Sequence, residues 1–139
     1  MSDQPLPAPI LVVEDEGDLR ALIGYNLSRS GYAVDLTADL GSARQVLECG
    51  TPSLVILDLM LPDGSGLDLA RQIRKSPSSA SIPILFVTAR PKETYMRSYR
   101  FSSHDDYLPK PFSVRELLRR VQAQVRSTGA TPQQEELTS

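Results

Sequence analysis

Residues 54–62, Leu-Val-Ile-Leu-Asp-Leu-Met-Leu-Pro, constrain the fold more than any other stretch of the chain. A partly β-branched apolar run ends in a single carboxylate, Asp58, and a turn of Pro62, Asp63, Gly64, Ser65 and Gly66 follows at once. The pattern is that of a buried strand delivering one acid to a sheet edge. In open α/β sheets, chemistry collects just past the carboxyl ends of the strands. Asp58 is therefore a candidate functional acid, and an aspartate that only caps the turn is the other reading of this stretch.

The chain has 139 residues, enough for one domain with a full hydrophobic core and too few for two ordinary ones. Its 15 basic and 17 acidic residues leave a net charge of −2, so no basic field argues for direct nucleic-acid binding. The lone Cys49 has no partner for an internal disulfide, and neither a signal-peptide pattern nor an apolar run of membrane length is seen. Together these suggest a cytoplasmic, reducing setting away from the membrane. Cys49 itself, beside Gly50 at a helix end, reads as a small packing residue.

Residues 1–8 carry Ser, Asp, Gln and two prolines and read as a disordered lead-in. Ile10 to Val13 is a second buried strand, closed by Glu14-Asp15-Glu16. Leu19, Leu22, Ile23 and Leu27 recur at helical spacing, with acids at the start and Gly31 as a stop, which predicts a helix over 17–30. Val34, Leu36 and Ala38 alternate with Asp35 and Thr37, as in a half-exposed strand. Helices follow over 41–49 and from Leu67 to Lys75, and a buried strand from Ile82 leads to Thr88.

A further helix is expected over 93–102, where Tyr95, Met96, Tyr99 and Phe101 form a broad aromatic face. That face suits either a partner or core packing. Asp106 to Lys110 reads as a fifth strand, placed at the sheet edge because Pro109 cannot donate to a ladder. Ser113 and Glu116 form a capping-box signature ahead of the stripe Val114, Leu117, Leu118, Val121 and Val125. Residues 127–139 turn to Thr, Gly, Pro, Gln and Glu and read as a disordered tail, leaving one domain over 9–126. Strands alternating with helices predict an α/β fold, a doubly wound five-stranded parallel sheet with five helices and right-handed crossovers.

In such a sheet Glu14, Asp15, Asp58, Thr88 and Lys110 all fall at strand carboxyl ends on one edge. Three carboxylates repel one another unless a hard cation shares them, and an oxygen site with room for water suits Mg²⁺. Lys110 adds a positive charge for phosphate oxygens, and the Thr88 hydroxyl adds a neutral donor. The set fits phosphoryl transfer onto Asp58 as nucleophile. There is no Gly-rich nucleotide loop or Cys/His cluster, and His104 is the single histidine.

These residues resemble the receiver domain of bacterial two-component response regulators, from about Ile10 to Arg126. The motifs are Val12-Val13-Glu14-Asp15-Glu16, Leu57-Asp58-Leu59-Met60-Leu61-Pro62 with Gly66, Val87-Thr88-Ala89, Asp105-Asp106-Tyr107 and Lys110-Pro111-Phe112. Each alone is weak, whereas all of them in this order and spacing are specific. The resemblance implies a flavodoxin-like sheet of strand order 2-1-3-4-5. It makes Asp58 the phosphoacceptor, Asp15 a direct Mg²⁺ ligand, Glu14 a supporting acid and the backbone carbonyl of Met60 a further ligand. Thr88 would bind a phosphoryl oxygen, Lys110 would contact the phosphate after a cis bond to Pro111, and Tyr107 would be the switch aromatic.

A sensor histidine kinase or a histidine phosphotransfer protein is the implied donor. The face of helix four, strand five and helix five is the implied output and dimerisation surface. The protein would then be a phosphoacceptor that assists its own phosphorylation and dephosphorylation, not an enzyme with a separate substrate. Ser103-His104 replaces the family's usual Gly-Ala, which is expected to alter how strand five enters the sheet. Met60 and Arg90 resemble regulators that carry a winged-helix DNA-binding domain, although the loop 76–81 is long for that class. Two other readings are a phosphorylation-independent adaptor using the same face and a Mg²⁺-dependent aspartyl-phosphate phosphatase. The second lacks an acid two residues after Asp58, where Met60 stands.

Overall fold

Successive strand residues point to opposite faces, and here both faces are apolar. The computed structural model describes residues 8–127, so the lead-in expected at 1–8 and the tail expected at 127–139 lie, but for one residue each, outside the described residues. Five strands, β1 (Ile10–Val13), β2 (Val34–Thr37), β3 (Leu54–Leu57), β4 (Ile84–Thr88) and β5 (Asp105–Pro109), pair in parallel. Their order is β2-β1-β3-β4-β5, as the resemblance implies. The helices are α1 (Gly17–Arg29), α2 (Leu40–Cys49), α3 (Gly66–Lys75), α4 (Lys92–Tyr95) and α5 (Val114–Ser127). Helix α5 runs one residue into the stretch read as tail.

Leu11, Val13, Val55, Leu57, Ile84 and Phe86 face one way, into a core closed by α2, α3 and the two buried tyrosines of the 92–99 segment. Ile10, Val12, Leu54, Ile56, Leu85 and Val87 face the other way, under α1 and α5. A helix layer on each face is what fully apolar central strands require. Edge strand β2 departs from the expected alternation: Leu36 is 44% exposed and Thr37 is buried. Leu36 lies over the bare backbone of Gly24 in α1, and the Thr37 hydroxyl donates to the Val12 carbonyl at 2.7 Å. Cys49 is exposed at the end of α2, against the packing role expected of it, because the chain leaves the core there through Gly50.

Strand β5 is the other edge, where Pro109 stands in register with Thr88 and no further strand pairs on the outer side to miss its donor. Ser103-His104 leaves its entry undisturbed: both side chains are exposed, and the His104 carbonyl still accepts from the Ile84 amide at 3.0 Å. Ser113 caps α5 by accepting from the Glu116 amide at 3.1 Å, one half of the capping box.

The helix expected over 93–102 is a single turn, 92–95, and its backbone partners explain why. The α pattern lapses straight after that turn, where the Ser98 amide donates to the Tyr95 carbonyl three residues back at 3.1 Å, and resuming it to 102 would need the Ser102 amide to donate to the Ser98 carbonyl. The guanidinium of Arg71 takes that carbonyl, and the carboxylate of Asp105 takes that amide at 2.8 Å. Asp105 also accepts from the Tyr99 hydroxyl at 2.9 Å and pairs with Arg74. The aromatic face is core: Tyr95 and Tyr99 are 2% and 4% exposed, with rings 5.5 and 5.3 Å from Phe86. Burial holds both phenols far above their ordinary range, in Tyr99 with Asp105 adding to it.

The Tyr95 hydroxyl is buried without a hydrogen-bond partner among the described residues. Such a group carries its full desolvation cost. Tyr95→Phe should therefore raise the free energy of urea unfolding by about 1 kcal/mol. A lower midpoint in the variant would show that the hydroxyl is satisfied.

Candidate functional site

The sheet ladder continues one residue past β1 and β3 and fixes the acids that follow. The Glu14 amide donates to Thr37 at 3.0 Å, and the Asp58 amide to Val13 at 3.1 Å. The Lys110 amide bonds the Thr88 carbonyl at 3.0 Å in the same way, just beyond β5. Side chains from three strand ends thus emerge at one edge with little backbone freedom. The Lys110–Pro111 bond is cis, as the resemblance implies.

Lys110 is the centre of the cluster. Its Nζ lies 2.8 Å from Asp58 Oδ2 and 2.9 Å from Glu14 Oε1. Glu14 and Asp58 are only 2% and 6% exposed, whereas Asp15 is exposed. Burial raises the Glu14 pKa, and the bonds from Lys110 and the Glu16 amide oppose this only in part. For Lys110, burial pulls down, but bonds to Asp58 and Glu14 outweigh it and the pKa ends raised. The ammonium therefore stays charged between two carboxylates.

Carboxylate oxygens of Glu14, Asp15 and Asp58 all lie within 4.8 Å of one another. An all-oxygen set, open to water at Asp15, is the donor chemistry a hard divalent cation takes. Both Glu14 oxygens are engaged, one by Lys110 and the other by the Glu16 amide at 3.1 Å. Asp15 and Asp58 are thus the better placed ligands, with Glu14 behind them. The residues present fit a cation.

Other expected site residues stand further back. Thr88 is fully buried, and its Oγ1 accepts from the Arg90 amide at 3.2 Å. Met60 is 57% exposed, and its amide donates to Asp58 Oδ1 at 3.3 Å. Tyr107, on β5, is half-buried with its ring 6.0 Å from Tyr95. Beside Lys110, a cleft of about 430 Å³ is lined largely by Leu19, Leu22, Ala89 and Phe112.

Two residues of this region were not singled out from sequence. Arg20 Nη1 donates to the carbonyls of Glu14 at 2.9 Å and Asp15 at 3.3 Å. Asp63, read only as part of a turn, caps α2 from across the fold, accepting from the amides of Leu40 at 2.9 Å and Gly41 at 3.1 Å. Those bonds, the Leu40 amide foremost, hold the Asp63 carboxyl below its usual range. Neither contact leaves a local sequence signal, because the partners come together only in the fold.

Comparison with known proteins agrees with the geometry. A family model described as response regulator receiver domain matches residues 10–122. The chain is 42% identical over 117 residues to the phosphate regulon transcriptional regulatory protein PhoB of Rhizobium meliloti, covering 84% of this chain and 52% of that one. It is 38% identical over 123 residues to the response regulator MprA of Mycolicibacterium vanbaalenii, covering 88% and 52%. The chain thus spans about half the length of the curated relatives it matches. Among solved structures, the non-phosphorylated HemR receiver domain of Leptospira biflexa is similar at TM-score 0.75 and 32% identity, covering 86% of this chain and 94% of that one.

The turn after Asp58 tolerates little change. A Cβ at Gly66 would lie 2.2 Å from the Asp58 carbonyl oxygen, a backbone atom that cannot step aside alone. Gly66→Ala should cost about 1–3 kcal/mol in urea unfolding. Asp63 gives a prediction with a sign. Its pKa is lowered on folding, so its charged form stabilises above the ordinary aspartate value of 3.8, and that gain is lost as the pH falls through the folded value. The stability gap between the parent and Asp63→Asn should be full at neutral pH and close on acidification. A gap that widened in acid would contradict the cap.

Proposed function

The chain belongs to the response regulator receiver domain family, and on that basis we propose that it is a phosphorylation-dependent signalling module whose acceptor is Asp58. The donor is a phosphohistidine of a sensor histidine kinase or a phosphotransfer protein, met in the cytoplasm. The observation that carries the reading is the Lys110 ammonium bonded at once to Asp58 and Glu14, beside the oxygen cluster that Asp15 completes. The receiver unit is residues 9–126.

In the transfer, an Asp58 oxygen attacks phosphorus as the P–N bond to the donor imidazole breaks. The bonding electrons leave on the imidazole nitrogen, and the product is an acyl phosphate. Asp15, Asp58 and the Met60 carbonyl, with Glu14 in support, would hold Mg²⁺, which when bound would offset charge on the phosphoryl oxygens. Lys110 Nζ, already 2.8 Å from Asp58 Oδ2, moves onto a phosphoryl oxygen, and its raised pKa keeps the ammonium protonated for that contact.

Thr88 gives up its Arg90 amide bond and turns its hydroxyl to another phosphoryl oxygen. Tyr107 rotates into the space so released, and the face of α4, β5 and α5 changes its affinity for an output partner or a second copy. Water later attacks the phosphorus, the P–O bond to Asp58 breaks with its electrons returning to the carboxylate, and inorganic phosphate leaves. The single-turn α4 favours a second reading, an adaptor that binds through the same face whether or not it is phosphorylated.

Incubation with Mg²⁺ and a small phosphodonor should add one phosphate, visible as one mass increment in intact-protein mass spectrometry. Asp58→Asn should remove the increment, and Lys110→Ala should slow its appearance by two orders of magnitude or about that. Retention of the phosphate in Asp58→Asn would refute the acceptor. Equal partner binding before and after phosphorylation would favour the adaptor.

A further inference from the structure

We propose that Arg20 is a positioning residue for the cation cluster: by bonding the carbonyls of two consecutive residues, it sets the turn between β1 and α1 so that Asp15 faces Asp58. The inference rests on reading Glu14, Asp15 and Asp58 as a cation site.

Arg20 stands in the first turn of α1, and its Nη1 spans Glu14 O at 2.9 Å and Asp15 O at 3.3 Å. These two residues supply the acids that meet Asp58 within 4.8 Å. The turn they occupy runs Glu-Asp-Glu, with Asp18 two residues on, so like charges act to splay it open. Local bonds hold it in part: the Glu16 amide to the Glu14 carboxylate at 3.1 Å, and the Arg20 amide to the Glu16 carbonyl at 2.9 Å. The first holds the amide side of the Asp15–Glu16 peptide, and neither engages its carbonyl or that of Glu14. The guanidinium does, from the helix side.

Glu14, Asp15, Glu16 and Asp18 all lie within six residues of Arg20 in sequence, yet among the described residues it bonds carbonyls and is in none of the ion pairs found. Both bonds leave one nitrogen, Nη1, which stands one bond further from the backbone than a lysine Nζ, so a lysine at this position falls short of the two carbonyls. Outer groups that orient metal-binding residues commonly matter 10–100-fold in affinity. The charge of Arg20 acts in the opposite sense, since a cation near the site repels a second one. Electrostatics alone thus predicts tighter metal binding when Arg20 is removed, and positioning predicts weaker binding.

Titrating the whole chain with Mg²⁺ by calorimetry separates the two, with thermal unfolding in EDTA recorded alongside. Arg20→Gln should bind Mg²⁺ about 10-fold more weakly than the parent. Arg20→Lys keeps the charge without spanning both carbonyls and should share the loss, and it carries the test if Arg20→Gln loses cooperative unfolding. Parent-like or tighter binding by Arg20→Gln, or full recovery in Arg20→Lys, overturns the proposal. A parent chain that takes up no Mg²⁺, even with the unfolding transition intact, overturns the cation site itself and the inference with it.

Discussion

One ammonium between two buried carboxylates organises this molecule's functional edge. Lys110 reaches Asp58 and Glu14 at 2.8 and 2.9 Å, in surroundings where an unpaired carboxylate would drift toward its neutral form. The contact is possible only because parallel pairing brings the ends of β1, β3 and β5 to the same side. Helices on both faces follow from that pairing, since strands such as Leu54–Leu57 have no exposed face. Fold and chemistry are thus joined at a few strand termini, and the ladder bonds of Glu14, Asp58 and Lys110 make the join rigid.

Much of this was legible in the linear chain, because the informative signals are local. A four-residue apolar run closed by an acid marks a strand and its end together, as at Val13-Glu14 and Leu57-Asp58. Period and capping located α1, α3 and α5 to within a residue or two. What escaped depends on partners distant in sequence. The irregular path after α4 is tied down by Arg71 and Asp105, and neither lies in the segment whose aromatic pattern suggested a longer helix. Thr37 is buried because the Val12 carbonyl accepts from its hydroxyl, and Leu36 stays partly exposed where it lies over Gly24 of α1. Cys49 looked like a packing residue by type, and only the exit path of α2 shows it to be exposed.

The two faces of the sheet differ in how they are finished. Under α1 and α5 the core is aliphatic apart from its margins, and the long helix α5 covers it continuously. On the other face the 92–102 segment is held by stacked rings around Phe86 and by the Arg74–Asp105–Tyr99 group, with little regular backbone bonding of its own. Segments with few backbone bonds populate the low-stability end of a native ensemble. A face whose order comes from side chains is suited to two packings of similar free energy.

The carboxylate of Asp63 bears on the direction in which such a change travels. By capping α2 it staples the loop after Asp58 to a neighbouring helix, while Gly66 seats α3 directly on the Asp58 backbone. That side of Asp58 works like the fixed jaw of a vice. A displacement at Asp58 would meet stiff material toward α2 and α3 and yielding material toward Thr88 and α4. The asymmetry gives the domain a mechanical polarity, and an engineer wishing to redirect its output would begin by loosening the staple.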